Sequence, residues 1–304
     1  MFGSTWWWCS GVYVSDYDAV DLFRFIHKLE FLTTLEVSMM SRSTDMFTTA
    51  FQNTKNGQSF FVLEKIETLV ISSSAAFLAC HCPRLKSLVI EDGGDCLVEK
   101  YSDLESRLTP LHPHLHAGLI SNLTHFEATA IWSVDELRFL TMTFPQLQCL
   151  QMRSEMYCYR TSFTTIMRLL GSSLKDLRIL KLHKIGNLDV GFRSVWKRRI
   201  LECKTESLRK ALWRENESRR VAAENRVVRV AFADIGGLKE IWIGDSRVAR
   251  RTVVYGYDNN EEEVGLRWMW ERRREALENC VEGSVSDKYK AERDEVVVQS
   301  ELGM

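Results

Sequence analysis

The sequence predicts an α/β fold built from repeated units, with parallel strands on one face of a solenoid and helices on the other. The main observation is a pattern, apolar-x-x-apolar-x-apolar, that occurs seven times along the chain. Stretches with the apolar spacing of a helix alternate with these segments. Because a short repeat buries its apolar face only against its neighbours, such a repeat determines the architecture more strongly than local propensity does.

Each of the seven segments is expected to form a short strand with one buried face. Its last two apolar residues are separated by one residue, which matches the two-residue period of side chains along a strand. The middle apolar residue of each segment should therefore join a row that points into the core. This inner row consists of Leu35, Leu69, Leu88, Phe126, Leu150, Leu180 and Ile241.

Two helices are predicted clearly between strands. The stretch 134–144 carries a buried stripe and begins after Ser133, which with Glu136 forms the pattern of a capping box. The stretch 161–170 repeats the spacing, and Gly171 is expected to end it. Units of helix followed by strand favour a layer of parallel strands against a layer of helices.

The spacing between units is irregular, and the longest interval holds a charged insertion at 193–230. That segment contains twelve lysines and arginines against five glutamates, and it is predicted to form a long helix. The residues expected to anchor it by apolar packing are Val195, Ile200, Leu208, Leu212 and Val221.

Two parts are expected along the chain, a repeat domain over 1–257 and an acidic helical cap and tail over 258–304. The second part holds thirteen acidic residues against seven basic ones. Within it, the stretch 261–278 is predicted to be helical, and the final residues are expected to be loosely held.

The overall composition is that of an ordinary globular protein. The chain has 304 residues, of which 45% are hydrophobic and 27% charged, and its net charge of −1 argues against a generally nucleic-acid-coating protein. Its eight cysteines include no Cys-x-x-Cys pair, which favours buried thiols in a reducing compartment. No signal peptide or apolar run of membrane-spanning length is recognised. Cytoplasm or nucleus is therefore the expected location, with no membrane partner.

Two segments show how each repeat leads into its strand. CPRLKSLVI (82–90) and FPQLQCLQM (144–152) place Pro-x-Leu before the strand, and this arrangement resembles the degenerate leucine-rich repeats of fungal F-box proteins. The resemblance implies an irregular leucine-rich-repeat-like solenoid that captures a substrate protein for a ubiquitin ligase. Family members dock on the SCF adaptor through an F-box. No F-box-like segment is recognised before Ser15, so adaptor docking is expected only if one lies upstream.

Fingerprints of common enzymes are not found in the sequence. The patterns GxSxG, HExxH, GxGxxG and the P-loop are missing, so no catalytic residue can be assigned. The prediction is a non-enzymatic protein without a cofactor.

A metal site is one alternative that the sequence offers. Cys80 and Cys82 are followed about thirty residues later by His112, His114 and His116. Zinc needs four convergent sulfur or nitrogen ligands, which this spacing does not ensure. Buried cysteines and a loop carrying histidines are the favoured interpretation.

A nucleic-acid interface is the other alternative, and it would use the basic residues of 193–230. Glutamates interleave with those residues and can pair with them at helical spacing, for example Glu206 with Lys210. That arrangement favours a solvated helix, so nucleic-acid binding is not expected.

The positions that alternate with the inner row should point away from the core and form the binding surface. At the N-terminal end they are threonine, serine and valine, which are poor anchors for a partner. At the C-terminal end they include longer polar side chains and one tryptophan. Gln151, Lys181, Glu240 and Trp242 are therefore the predicted contacts for a protein partner of unknown identity, beside the inserted helix.

Overall fold

A computed structural model of the chain contains one mostly parallel sheet covered by helices. The structure describes residues 25–26, 28–29, 31–37, 62–91, 122–130, 132–153, 162–183, 190, 192, 203–244, 247–255 and 262–270. Within these residues the sheet has nine strands, and the order of the strands across the sheet is their order along the chain. The α/β class and the parallel sheet predicted from the repeat are confirmed.

The seven repeated segments form the first seven strands, and each strand pairs in parallel with the next. They are β1 (Thr34–Val37), β2 (Thr68–Ile71), β3 (Ser87–Ile90), β4 (His125–Thr129), β5 (Cys149–Arg153), β6 (Ile179–Leu182) and β7 (Glu240–Ile243). The inner row is in register across all seven strands, and every member is at most 5% exposed. Its predicted burial is confirmed.

The connections contain one 3₁₀ helix and three α-helices among the described residues. These are the 3₁₀ helix Ser73–His81 and the helices α1 (Val134–Thr143), α2 (Phe163–Ser173) and α3 (Glu206–Asp234). The predicted capping box opens α1, since the backbone N–H of Glu136 donates to Ser133 Oγ over 3.3 Å and the N–H of Ser133 donates to Glu136 Oε2 over 3.0 Å.

One backbone junction recurs before the strands. A tight turn comes first, as where the N–H of Leu147 donates to the carbonyl of Phe144 and that of Leu177 to Leu174. The next two backbone N–H groups then donate to one carbonyl of the preceding unit. At β5, for example, the N–H groups of Gln148 and Cys149 both donate to the carbonyl of Thr124. Because the same hydrogen bonds recur from unit to unit, strands separated by unequal intervals still align in one register.

Gly171 does not end α2, which continues to Ser173. A β-carbon at Gly171 would overlap the carbonyl of Asp234 at the end of α3. The glycine therefore allows two helices to approach closely, a requirement that the spacing within one helix cannot reveal.

The charged insertion forms a helix, but its anchors differ from those predicted. Leu208 is 51% exposed, and Leu212 and Val221 are only half-buried. Burial is concentrated further along α3, at residues such as Val227, Val228 and Ala231. Val195 and Ile200 lie outside the described residues. The buried residues of the helix lie in its C-terminal half, and the helix contacts α2 and β7.

The expected helix over 261–278 is wrong for the part that the structure describes. Residues Glu262–Trp270 form a strand, β9, which pairs antiparallel with β8 (Arg247–Tyr255), and β8 pairs antiparallel with β7. Pairing with an existing sheet edge overrides the weak helical spacing of this stretch. The other residues of 258–304 lie outside the described part of the chain.

The core lies between the sheet and the helices. The inner row and the strand ends beside it pack against the buried faces of the helices. One charged pair enters this layer, where Arg247 of β8 contacts Glu224 of α3, which is fully buried. In the part of the chain that is described, no helix has both the length and the apolar character needed to cross a bilayer.

Candidate functional site

The opposite face of the sheet carries side chains that alternate with the core residues. One register-aligned set, here called the outer row, lies one residue beyond the inner row. The outer row consists of Glu36, Val70, Val89, Glu127, Gln151, Lys181 and Trp242. All seven residues are half-buried. Because paired strands lie about 4.8 Å apart, neighbours in this row can contact the same bound molecule.

The C-terminal end of the outer row is held by a chain of contacts. Arg250 on β8 donates from Nε to Glu240 Oε1 over 2.8 Å, and Trp242 Nε1 donates to Glu240 Oε2 over 3.3 Å. Lys181 Nζ lies 5.1 Å from the centre of the Trp242 ring. The indole is thus oriented by a carboxylate on one side and lies against an ammonium group on the other.

Gln151 stands beside Lys181 in the register of β5 and β6. The described contacts include no hydrogen bond to the side-chain amide of Gln151 and no ion pair to Lys181. The structure therefore brings the four predicted contacts together on three neighbouring strands, and two of them offer polar groups to solvent.

A second charged cluster lies next to this group. Arg153 forms an ion pair with Glu127 and lies 3.6 Å from Glu91, which follows β3. Burial raises the pKa of Glu127, while the charges of Arg153 and Lys181 oppose that rise. The guanidinium group is engaged by carboxylates of this chain, so its charge is largely neutralised locally.

Cys149 and His125 are neighbours in register, but they do not make a reactive pair. Burial raises the pKa of the Cys149 thiol, and the positive charge of Lys181 only partly opposes this. Burial also lowers the pKa of His125, with Lys181 adding to the shift. A nucleophilic cysteine needs a lowered pKa, so this arrangement does not supply the thiolate that such catalysis uses.

Apart from Glu36, the N-terminal end of the open face carries short side chains. Thr34, Thr68 and Ser87 are aligned on β1 to β3, with Val70 and Val89 beside them. Short side chains of this kind suit a half-buried strand and provide few anchors.

The inserted helix does not flank these residues, contrary to the sequence expectation. Arg247, which contacts α3 through Glu224, pairs with Ile243 on the core side of the sheet. Trp242 pairs with Val248 on the other side. The described part of the insertion therefore lies on the core side of the sheet, opposite the open face, because its buried apolar residues belong to the core.

The two alternative sites gain no support from the described geometry. Cys82 is fully buried, its thiol donates to the carbonyl of Leu78 over 3.4 Å, and burial raises the pKa values of Cys80 and Cys82 to about 12. His112, His114 and His116 lie outside the described residues. No group of three potential metal ligands occurs within the described part of the chain.

In the basic segment, glutamates of α3 pair with bases of the same helix. Glu206 lies 2.6 Å from Lys210, and Glu215 and Glu217 pair with Arg219 and Arg220. Such pairs are typical of a solvated helix. They reduce the free positive charge that a phosphate backbone would require.

Sequence reasoning missed the arginines that organise the site. Arg153 lies two residues after Gln151, and Glu91 lies two residues after Val89, so both are at outward positions. Continuing the two-residue alternation past the outer row would have found them. Arg250 was missed because β8 was not predicted, although the alternation in the stretch 247–255 and its valines favour a strand.

A scan of the sequence against protein-family models finds no match. A search of curated proteins finds no similar sequence. The function therefore has to be argued from the residues and their geometry.

Proposed function

We propose that this protein is a non-enzymatic scaffold that binds another protein on the open face of its sheet. In this proposal the repeated units are an irregular leucine-rich-repeat-like solenoid, and the C-terminal end of the outer row is the contact surface. The resemblance to F-box/leucine-rich-repeat receptors supports a role in substrate recognition for a ubiquitin ligase, in the cytoplasm or nucleus. Docking on the SCF adaptor would need an F-box supplied by another segment.

The observation that carries the proposal is the contrast between constant and varied positions in one repeated unit. The inner row is apolar in every strand, whereas the outer row holds two acids, two valines, an amide, an amine and an indole. Backbone groups within the sheet are paired with neighbouring strands. Affinity on this face must therefore come from side chains, and it usually concentrates in a few aromatic and long polar residues.

The test replaces Trp242 with alanine and measures protein capture by the immobilised full chain. Partners found with the wild-type chain by mass spectrometry are then titrated individually against the variants. We expect Trp242→Ala to weaken binding of a specific partner by about thirtyfold or more, the loss of a typical hot-spot residue. Its melting temperature should stay close to that of the wild-type chain.

Thr68→Ala provides the matched control on the same face. It removes a half-buried outward side chain from β2, five strand spacings from Trp242 in the order of the sheet. Normal binding by Thr68→Ala with loss in Trp242→Ala supports the proposal. Loss of binding in Thr68→Ala alone would show that the contact surface lies on the N-terminal strands. Unfolding of Trp242→Ala would show that the indole is needed for the fold.

A further inference from the structure

The charges on the open face leave one cation available at its C-terminal end. Arg250 is engaged by Glu240, and Arg153 is engaged by Glu127 and Glu91. Lys181 has no carboxylate within ion-pair distance among the described residues. Around Trp242, Lys181, Glu240 and Arg250 together carry one positive charge, whose source is the half-buried ammonium group of Lys181. Arg153 with Glu127 and Glu91 carries one negative charge on the neighbouring strands.

The surroundings of Lys181 define what can bind to it. On one side the Gln151 amide can donate a hydrogen bond to the same acceptor that Lys181 binds. On the other side lies the Trp242 ring, whose position is fixed through Glu240 and Arg250. A pair of donors next to a fixed aromatic surface favours an anion joined to an apolar group, since the indole needs little ordering on binding.

We infer that the partner is an acidic segment of protein, which places one Asp or Glu carboxylate between Gln151 and Lys181 and an adjacent apolar side chain against Trp242. The inference rests on the proposed function and specifies the partner that this function requires. One ammonium group matches one carboxylate charge. A phosphate group is recognised mainly by arginine clusters, and both arginines on this part of the face already hold carboxylates.

The segment must cover only a short distance. Gln151, Lys181 and Trp242 lie on three successive strands, so the row spans about 10 Å. Neighbouring side chains on one side of a peptide can bridge that distance. The carboxylate should provide register and selectivity, and the indole should provide most of the apolar contact.

The experiment measures binding of the full chain to an array of synthetic peptides of about ten residues, long enough in extended form to cross the row. The array varies every position and includes phosphoserine and phosphothreonine. We expect the wild-type chain to select peptides with an acidic residue close to an aromatic or large aliphatic one. Replacing that acid by its amide in the best peptide should weaken binding by about tenfold.

Charge reversal at Lys181 provides the decisive comparison. Lys181→Glu should lose the acidic peptides and select lysine or arginine at the same position, whereas Lys181→Met should lose the charge preference and keep the apolar one. Lys239→Glu is the matched control, because Lys239 is exposed just before β7 and has no ion pair among the described residues. It should select the same peptides as the wild-type chain.

Several outcomes would overturn the inference. Selection without an acidic preference, binding to no peptide, preference for phosphorylated residues, or unchanged selection by Lys181→Glu would each do so. The proposed function is judged separately, since a partner whose binding depends on Trp242 but not on Lys181 would support the scaffold and reject the acidic segment.

Discussion

The inner and outer rows of the sheet are one residue apart along every strand, and they differ in almost every chemical respect. The inner row is apolar throughout, from Leu35 on β1 to Ile241 on β7, and it is nearly inaccessible to solvent. The outer row contains two acids, two valines, an amide, an amine and an indole, all half-buried. Both rows share one backbone, one register and one spacing.

The difference separates the requirements of folding from those of recognition. Packing against helices restricts the inner row to apolar side chains of suitable volume. No such restriction acts on the outer row, where small strand-forming residues would serve equally well for stability. In the proposed function, the chemical variety at Gln151, Lys181 and Trp242 serves recognition of the partner.

The largest expected effect concerns the buried ion pair between Glu224 of α3 and Arg247 of β8. Replacing Glu224 by leucine leaves Arg247 buried without its acid, which should lower the free energy of unfolding by about 3–5 kcal/mol. Chemical denaturation measures the loss. The double variant Glu224→Leu with Arg247→Met should recover most of it, because no isolated charge remains. A single variant as stable as the wild-type chain would show that the pair is dispensable.

A direct comparison of the two rows comes from adjacent residues on β5. Leu150→Ala should destabilise the protein by about 2–5 kcal/mol, because it leaves a cavity in the core. Gln151→Ala should change the free energy of unfolding by less than about 0.5 kcal/mol, as is usual for a surface substitution. Urea titrations of both variants check this, and equal losses would contradict the division between the rows.

A smaller effect is expected from the contact that orients the indole. Arg250→Ala removes the partner of Glu240, but this pair is partly exposed and should contribute less than about 1 kcal/mol to stability. Binding of the selected peptide should weaken a fewfold, since Trp242 loses its fixed position. The binding free energies of Lys181→Met, of Arg250→Ala and of the double variant test whether the two residues act together. Strictly additive losses of binding free energy would count against a connected site.

The smallest effect is a pH dependence from Glu127. Burial raises the pKa of this carboxyl above its ordinary value of 4.5, so the folded state binds the proton more tightly than the unfolded chain does. Stability should therefore fall slightly as pH rises from 4.5 to the raised value. The difference in unfolding free energy between the wild-type chain and Glu127→Gln isolates this contribution. A difference of opposite slope would mean that the ion pair with Arg153 dominates over burial.

Much of the fold could be predicted because its signals are local. The two-residue alternation located all seven parallel strands, and Ser133 with Glu136 marked the start of α1. The prediction was wrong for Gly171 and for the stretch 262–270. In those places the outcome depends on a neighbouring helix or on a sheet edge, and neither is encoded within the segment itself.

The candidate site was predictable in its residues but not in its contacts. Alternation along single strands indicated Gln151, Lys181, Glu240 and Trp242. It did not indicate that Arg250 would orient the indole through Glu240, since β8 had not been recognised. Nor did it indicate that Arg153 would be engaged by Glu127 on β4 and by Glu91, which follows β3.

The sequence by itself determined which residues of this protein lie in the strands and which side of each strand enters the core. Those properties follow from the two-residue alternation of side chains along a strand and from the free-energy cost of exposing apolar surface to water. Only the tertiary structure decided which outward side chains meet. Strands separated by unequal intervals align through the repeated backbone junctions, and that alignment places Lys181 between Gln151 and Trp242 while the arginines nearby are paired. Contacts between distant segments depend on the register of the whole sheet, which no local pattern specifies.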